Sequence, residues 1–257
     1  MLVMHGLFGN LGTFRYLAMN EKIKSQVTSH LIDARNHGDS ENHDRMDYLS
    51  MAMDLRRYIK EKGLEGQKVV LLGQSMGGKV AMTFSGLFPQ LISGLISIDQ
   101  PPVNRNLYPE LNAETNALIG KAMKLNIEGM TYREASNYIA TELKDHRAFA
   151  SSLIMCLDRK NQATATWKIN LEAINRSHEE LYGFEKYGEY EGRVMFLVGK
   201  ESFQYSIEKD RRFYVHVFPN IKSEDIIHIE NAGHWLHYEK QDETIENVAK
   251  FIQSLQV

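Results

Sequence analysis

The chain has 257 residues, of which 43% are hydrophobic and 25% charged, with a formal net charge of -3. That composition belongs to a globular protein long enough to bury a core without disulfide or metal staples, and it offers no basic excess that would argue for nucleic acid or an anionic membrane. The single cysteine excludes an intrachain disulfide, and no apolar run approaches the ~20 residues of a membrane helix.

In chain order, the first strand candidate is the apolar run Met1 to Met4. No charged leader with a long apolar segment precedes it, so no secretory signal is visible and the chain as given starts inside the fold. The next strand candidates are Val27 to Ile32, Lys68 to Leu72 and Gly94 to Ile98. Between the second and third, Tyr48 to Lys62 spaces Leu49, Ala52, Met53, Leu55 and Ile59 as a helix does, and Lys62-Gly63 reads as its end. Lys79 to Leu87 reads as another helix, halted by Phe88-Pro89. Strands alternating with helices imply βα units and a parallel sheet.

The rhythm changes after Pro101-Pro102. Glu110 to Leu125, Tyr132 to Leu143, Arg147 to Leu157 and Leu171 to Phe184 are helix candidates with no strand among them. Thr131 and Glu134 suit a capping box for the second. Strands resume at Arg193 to Val198 and Asp225 to Ile229, with helices expected at Ile207 to Val217 and Glu243 to Leu255. The division expected is a core of residues 1–103 and 188–257, with residues 104–187 as a helical cap.

The strongest chemical signal is Gly73-Gln74-Ser75-Met76-Gly77-Gly78, a G-x-S-x-G turn between an apolar strand and a helix. So sharp a turn leaves no room for side chains at Gly73 and Gly77, and it lifts Ser75 to the carboxyl edge of the sheet, where such sheets bind ligands. It is not a phosphate loop, because G-x-x-x-x-G-K-[ST] is absent.

A serine hydroxyl needs a base. Among ten histidines, His234 stands in Asn231-Ala232-Gly233-His234-Trp235, a turn after the last strand, in the order serine, acid, histidine. His237 completes H-x-x-H, but without the glutamate of H-E-x-x-H no metal is expected. The acid that orients histidine has two candidates: Asp99, ending the strand Gly94 to Ile98, and Glu201, beside Ser202 after the following strand. The oxyanion needs two backbone donors. Met76 supplies one, and the loop His5-Gly6-Leu7-Phe8-Gly9 the other, through Leu7 or else Phe8. Cys156 lies in an apolar run and reads as a buried structural thiol rather than a nucleophile.

Together, His5-Gly6-Leu7-Phe8-Gly9, Asp33-Ala34-Arg35-Asn36-His37-Gly38-Asp39-Ser40, the elbow around Ser75 and Asn231-Ala232-Gly233-His234-Trp235 resemble the ABHD11/YbfF-type esterases, which are α/β-hydrolases. The resemblance spans nearly the whole chain. It implies the α/β-hydrolase fold, an eight-stranded sheet, a helical cap, activity on carboxylic esters or thioesters, and an acid at Asp99. It puts His37 in a loop near the site, where holding that loop competes with contact to substrate. Two features depart from the pattern. The first two strands of the family have no counterpart here, so about six core strands are expected, with a sheet edge open or covered by a partner. Gln74 stands where histidine or tyrosine is common.

The reading is therefore a serine hydrolase working through an acyl-enzyme. Ser75, His234 and Asp99 are catalytic, Leu7 and Met76 form the oxyanion hole, and Phe8, Gln74 and His37 bind substrate. No metal or organic cofactor is required. The expected partner is a small acyl ester or thioester, with no nucleic acid and no membrane span. The expected setting is cytoplasmic, or mitochondrial if a leader is missing from this chain. Met123, Leu125, Ile154 and Met155 are expected either to line an acyl pocket or to pack the cap's own core. Two other classes stay open: an inactive scaffold that kept the elbow, and a carbon–carbon bond hydrolase or acyltransferase on the same triad.

Overall fold

A computed structural model describes residues 1–255. Six strands form one sheet: β1 (Leu2–Met4), β2 (His30–Ile32), β3 (Val69–Gln74), β4 (Ile92–Ile98), β5 (Arg193–Gly199) and β6 (Ile226–Ile229). Their order is β2-β1-β3-β4-β5-β6, and every neighbouring pair is parallel. The helices are α1 (Arg15–Met19), α2 (Glu21–Lys24), α3 (Tyr48–Glu61), α4 (Met76–Leu87), α5 (Ala113–Met123), α6 (Tyr132–Glu142), α7 (Arg147–Met155), α8 (Leu171–Arg176), α9 (His178–Tyr182), α10 (Tyr205–Glu208), α11 (Leu236–Glu239) and α12 (Gln241–Ser254).

The strands read as unbroken apolar runs because both faces of the sheet are covered. Successive side chains alternate between two cores. Leu2, Met4, Val69, Leu71, Val194 and Phe196 join Met51, Leu55 and Ile59 of α3 and Val80 and Phe84 of α4. Val3, Val70, Leu72, Met195 and Leu197 join Leu17 of α1, Ile23 of α2 and Val248 and Ile252 of α12. Each such aliphatic side chain withdrawn from water stabilises the fold by about 1.5–3 kcal/mol.

Helices α5 to α9 are inserted between β4 and β5. α6 starts with the expected capping box: Thr131 Oγ1 accepts from Glu134 N, and Glu134 accepts from Thr131 N. The insertion is tied down by backbone and side-chain bonds. Gly38 N donates to Lys168 O at 2.7 Å, and Asn170 N donates to Asn36 O at 2.9 Å. Lys79 on α4 donates through Nζ to the carbonyls of Tyr182 and Gly183, each at 2.8 Å. Burial and the nearby Arg105 push the Lys79 amine well below its usual range.

Several expected elements are corrected. The strand expected over Val27 to Ile32 begins only at His30, because Val27 N still bonds Ile23 O and continues the turn of α2. The helix expected over Ile207 to Val217 is instead α10 and a short 3-10 turn at Arg211–Phe213. Asp210 separates them, its extended backbone and its side chain capping Arg212 N. The helix expected over Leu171 to Phe184 breaks into α8 and α9 at Ser177.

Candidate active site

All six strands point the same way, so their carboxyl ends share one edge and the loops leaving them meet there. β3 ends at Gln74, and Ser75 turns the chain into α4 with φ 52° and ψ -117°. A Cβ on Gly73 would lie 2.1 Å from Gly77 O, and one on Gly77 would lie 2.4 Å from Met4 O. Neither contact is tolerable, so these two glycines are what lets the strand turn into the helix against β1. Phe8, Asp99 and Asn231, in the loops after β1, β4 and β6, also have positive φ. Such backbone is costly for non-glycine residues and concentrates where structure serves a site.

The side chains form a connected chain. His234 Nε2 accepts from Ser75 Oγ at 3.1 Å, and His234 Nδ1 donates to Asp99 Oδ2 at 2.6 Å. Asp99 is fully buried: Gly199 N donates to Oδ1 at 2.9 Å, Ser202 Oγ donates to Oδ2 at 2.6 Å, and the Glu208 carboxyl, also buried, is the neighbour whose ionisation Asp99 disfavours. Gln204 Nε2 donates to the Asp99 carbonyl at 3.1 Å. The loop after β5 therefore supplies supports for the acid, while Glu201 is exposed and, among the described residues, shares no hydrogen bond or ion pair with His234. Of the two acids weighed from sequence, the structure brings Asp99 to the histidine.

Gln74 is buried, its amide nitrogen 3.5 Å from His234 Nε2, and its oxygen occupies the space that a Cβ on Gly6 would take. Leu7, Phe8, Gln74, Ser75, Met76 and His234 all line one cavity of about 60 Å³. Met76 is the first residue of α4, where leading N–H groups lack partners within the helix. Phe8 is fixed by an edge-to-face contact with Phe149, ring centroids 5.0 Å apart.

His37 is the exception among the residues expected to bind substrate. It does not line the cavity. Its Nδ1 donates to Arg35 O at 3.0 Å and its ring packs on His5, 5.0 Å between centroids. His5 in turn donates to Gly6 O and accepts from Ala34 N. Burial pushes His5 down to about 4 and His37 down to about 3, so both are neutral struts between the first two loops. The stretch from Asp33 to Ser40 thus acts as a tie: Asp33 accepts from Leu11 N and Asp39 N, and Gly38, at φ 58°, sits directly over its carboxylate.

His237 is buried against Phe14. Among the described residues no three His, Cys, Asp or Glu side chains gather as a metal site. Cys156 is buried beneath the first loop, its thiol directed at Phe8 O, and burial raises it to about 12. That environment suppresses the nucleophilic thiolate.

The cavity's other wall was not legible from sequence. Met123 is exposed, and Leu125 and Ile154 pack into the core rather than the cavity. Met155 faces a separate surface hollow. The lining comes instead from Tyr48, Arg105, Leu118, Leu181, Tyr182 and Phe203.

A model of the α/β-hydrolase fold family matches residues 1–241. The chain belongs to the α/β-hydrolase family. This α/β-hydrolase is 31% identical to the sn-1-specific diacylglycerol lipase ABHD11 of Danio rerio, over 98% of this chain and 78% of that protein. It is 27% identical to the esterase YbfF of Escherichia coli (strain K12), over 98% of this chain and 92% of that one. A marine microorganism esterase of known structure superposes with a TM-score of 0.84 at 29% identity, over 97% of this chain and 94% of that one. The α/β-hydrolase is thus of the ABHD11/YbfF type.

Proposed function

We propose that this α/β-hydrolase cleaves carboxylic esters or thioesters through an acyl-enzyme on Ser75. The observation that carries the reading is the continuous hydrogen-bonded line from Ser75 Oγ through His234 to Asp99. His234, its Nδ1 proton held by Asp99, accepts the Ser75 proton as Oγ attacks the acyl carbon, then returns it to the leaving alkoxide or thiolate. The N–H groups of Leu7 and Met76 receive the oxyanion, each supplying roughly 3 kcal/mol of transition-state stabilisation. Water attacks the acyl-enzyme by the same route and releases the acid. Residues 104–187 act as the cap over a core of residues 1–103 and 188–257. No cofactor enters these steps.

The experiment is labelling with a fluorophosphonate probe, wild type against Ser75→Ala. Loss of label in the variant is expected; an unlabelled, well-folded wild type would favour the scaffold reading. Incubation with ester and an alcohol acceptor separates hydrolysis from acyl transfer, free acid being the expected product. A cytoplasmic setting goes with the proposal, since the fold depends on no disulfide and Cys156 is free; cell fractionation tests it.

A further inference from the structure

Glu208 is the last residue of α10 and does not line the active-site cavity. Its carboxyl is fully buried. The short helix that carries it is fixed against the acid of the triad. Gln204 Nε2 donates to the Asp99 carbonyl at 3.1 Å, Glu208 N donates to Gln204 O at 3.1 Å, and the buried Tyr214 hydroxyl donates to the Glu208 carbonyl at 2.8 Å. Among the described residues no amide, hydroxyl or guanidinium donates to either oxygen of the Glu208 carboxyl. Arg105, whose charge it feels, forms no ion pair with it.

The hydrogen-bonding neighbour of this carboxyl is a second one, that of Asp99. Two carboxylates are acceptors only and cannot bond each other without a proton between them. Asp99 takes His234 Nδ1 and Ser202 Oγ on Oδ2 and Gly199 N on Oδ1. Those three donors favour its charged form, whereas burial without a donor favours a neutral Glu208. The shared proton therefore sits on Glu208. In keeping with this, burial and Asp99 push the Glu208 carboxyl well above its usual range, against the opposing pull of Arg105. The titratable groups that face Glu208 are Asp99 at the end of β4, Arg105 on the connection after it, and Tyr214. His234 faces Asp99 and, from α11, His237, which burial keeps neutral.

We propose that Glu208 is a positioning residue of the triad, donating its carboxyl hydrogen to Asp99 so that the acid points at His234 and the pair carries a single negative charge. The proposal rests on the serine-hydrolase reading above and gives Glu208 no contact with substrate. The bond does two things. It removes rotational freedom from the Asp99 side chain, and it draws part of the carboxylate's charge away from His234. An Asp99 without this donor would hold the imidazolium more tightly, and the base would become available only at higher pH.

The test follows kcat and the pH profile of kcat/KM for p-nitrophenyl acetate in wild type, Glu208→Met and Glu208→Gln, with rates normalised to the sites that a fluorophosphonate labels. Methionine keeps the length of the side chain and has no donor. Glutamine keeps a donor and, like a neutral Glu208, carries no charge. Glu208→Met is expected to lower kcat about tenfold, the range for a lost hydrogen bond to a charged group, and to raise the acid limb by about one pH unit. Glu208→Gln is expected to rescue most of the lost rate and to return the acid limb to its wild-type place. A Glu208→Met enzyme with the wild-type rate and acid limb overturns the proposal, as does a Glu208→Gln enzyme that behaves like Glu208→Met. An acid limb that moves down in Glu208→Gln overturns it too, because only an ionised Glu208 would take a charge away with it; this outcome decides the matter even where Glu208→Met does not fold. A merely structural role would reduce the labelled sites and move neither the normalised rate nor the limb. The low-field proton resonance of His234 Nδ1, assigned by its loss in His234→Ala, reads the same bond without turnover. A resonance shifted in Glu208→Met and restored in Glu208→Gln supports the proposal even where no ester is cleaved, a result that would instead remove the hydrolase reading; a resonance that Glu208→Met leaves in place overturns it.

Discussion

At the carboxyl edge of the sheet the site is held by backbone. Ser75, Asp99 and Phe8 occupy left-handed conformations at strand ends, and Gly73 and Gly77 have no space for even a methyl group. Across the cavity the helical insertion presents Arg105, held by Asn112, Thr115 and the Leu111 carbonyl and flanked by Tyr182 and by Phe203 of the loop after β5. The two walls divide the work. The sheet edge positions the reacting groups to within a hydrogen bond, which chemistry demands whatever the substrate. The insertion supplies Arg105, Leu118, Leu181 and Tyr182 to the opposite wall of the cavity.

That contrast breaks most sharply at Ser75. Ser75→Ala is expected to lower ester hydrolysis about 10⁵–10⁶-fold while leaving the circular dichroism spectrum unchanged; equal activity would remove the nucleophile from this residue. Asp99→Asn should cost roughly 10³–10⁴ in kcat by spoiling the histidine tautomer, whereas Glu201→Gln, on an exposed side chain, should stay within about twofold. The reverse order would transfer the acid to the loop after β5.

Gly77→Ala tests the backbone wall directly. Its Cβ would meet Met4 O at 2.4 Å, so chemical denaturation should show a loss of roughly 3 kcal/mol. An unaffected midpoint would mean that the elbow yields more readily than its packing implies.

Stability against pH sharpens the comparison further. His5, His37 and His237 are buried on the sheet side with pKa values lowered to about 4, 3 and 3. Their folded values lie below the unfolded value, so the unfolded chain binds their protons more tightly. Their contribution is fully present above about pH 6.5 and is lost as pH falls toward the folded values, at up to ~1.4 kcal/mol per unit for each histidine. Neither ring nitrogen of His237 has a partner among the described residues. His237→Phe should therefore hold its denaturation midpoint better than wild type between pH 6 and pH 4; a parallel decline would assign the acid sensitivity elsewhere. The smallest effect is expected on the insertion, where Thr131→Ala removes the capping box of α6 at about 1 kcal/mol and should leave kcat unchanged.

How much of this was legible in sequence follows the same division. The elbow and His234 could be read because the turn demands glycines two residues either side of a serine and because parallel strands deliver their ends to one edge, while the same rules leave both Asp99 and Glu201 open as the acid. The partners of Asp99, Ser202 and Gln204, left only a faint signal, a polar pair directly after an apolar strand. The role of His37 as a strut was weighed against substrate contact and needed the structure, since a histidine's neighbours are set by two loops far apart in sequence. Nothing local marked Arg105, one of many arginines in polar surroundings, as a buried cation.

By itself, then, the sequence determined the parallel βα framework, the elbow and the chain order of the triad, because periodicity, glycine sterics and strand direction are local rules that hold wherever the chain goes. Only the tertiary structure decided which acid meets His234, that His37 stands behind the site, and which side chains of the insertion face Ser75. Those outcomes depend on how helices far apart in sequence pack against one another, and the fit of side chains between such helices is written in no single segment.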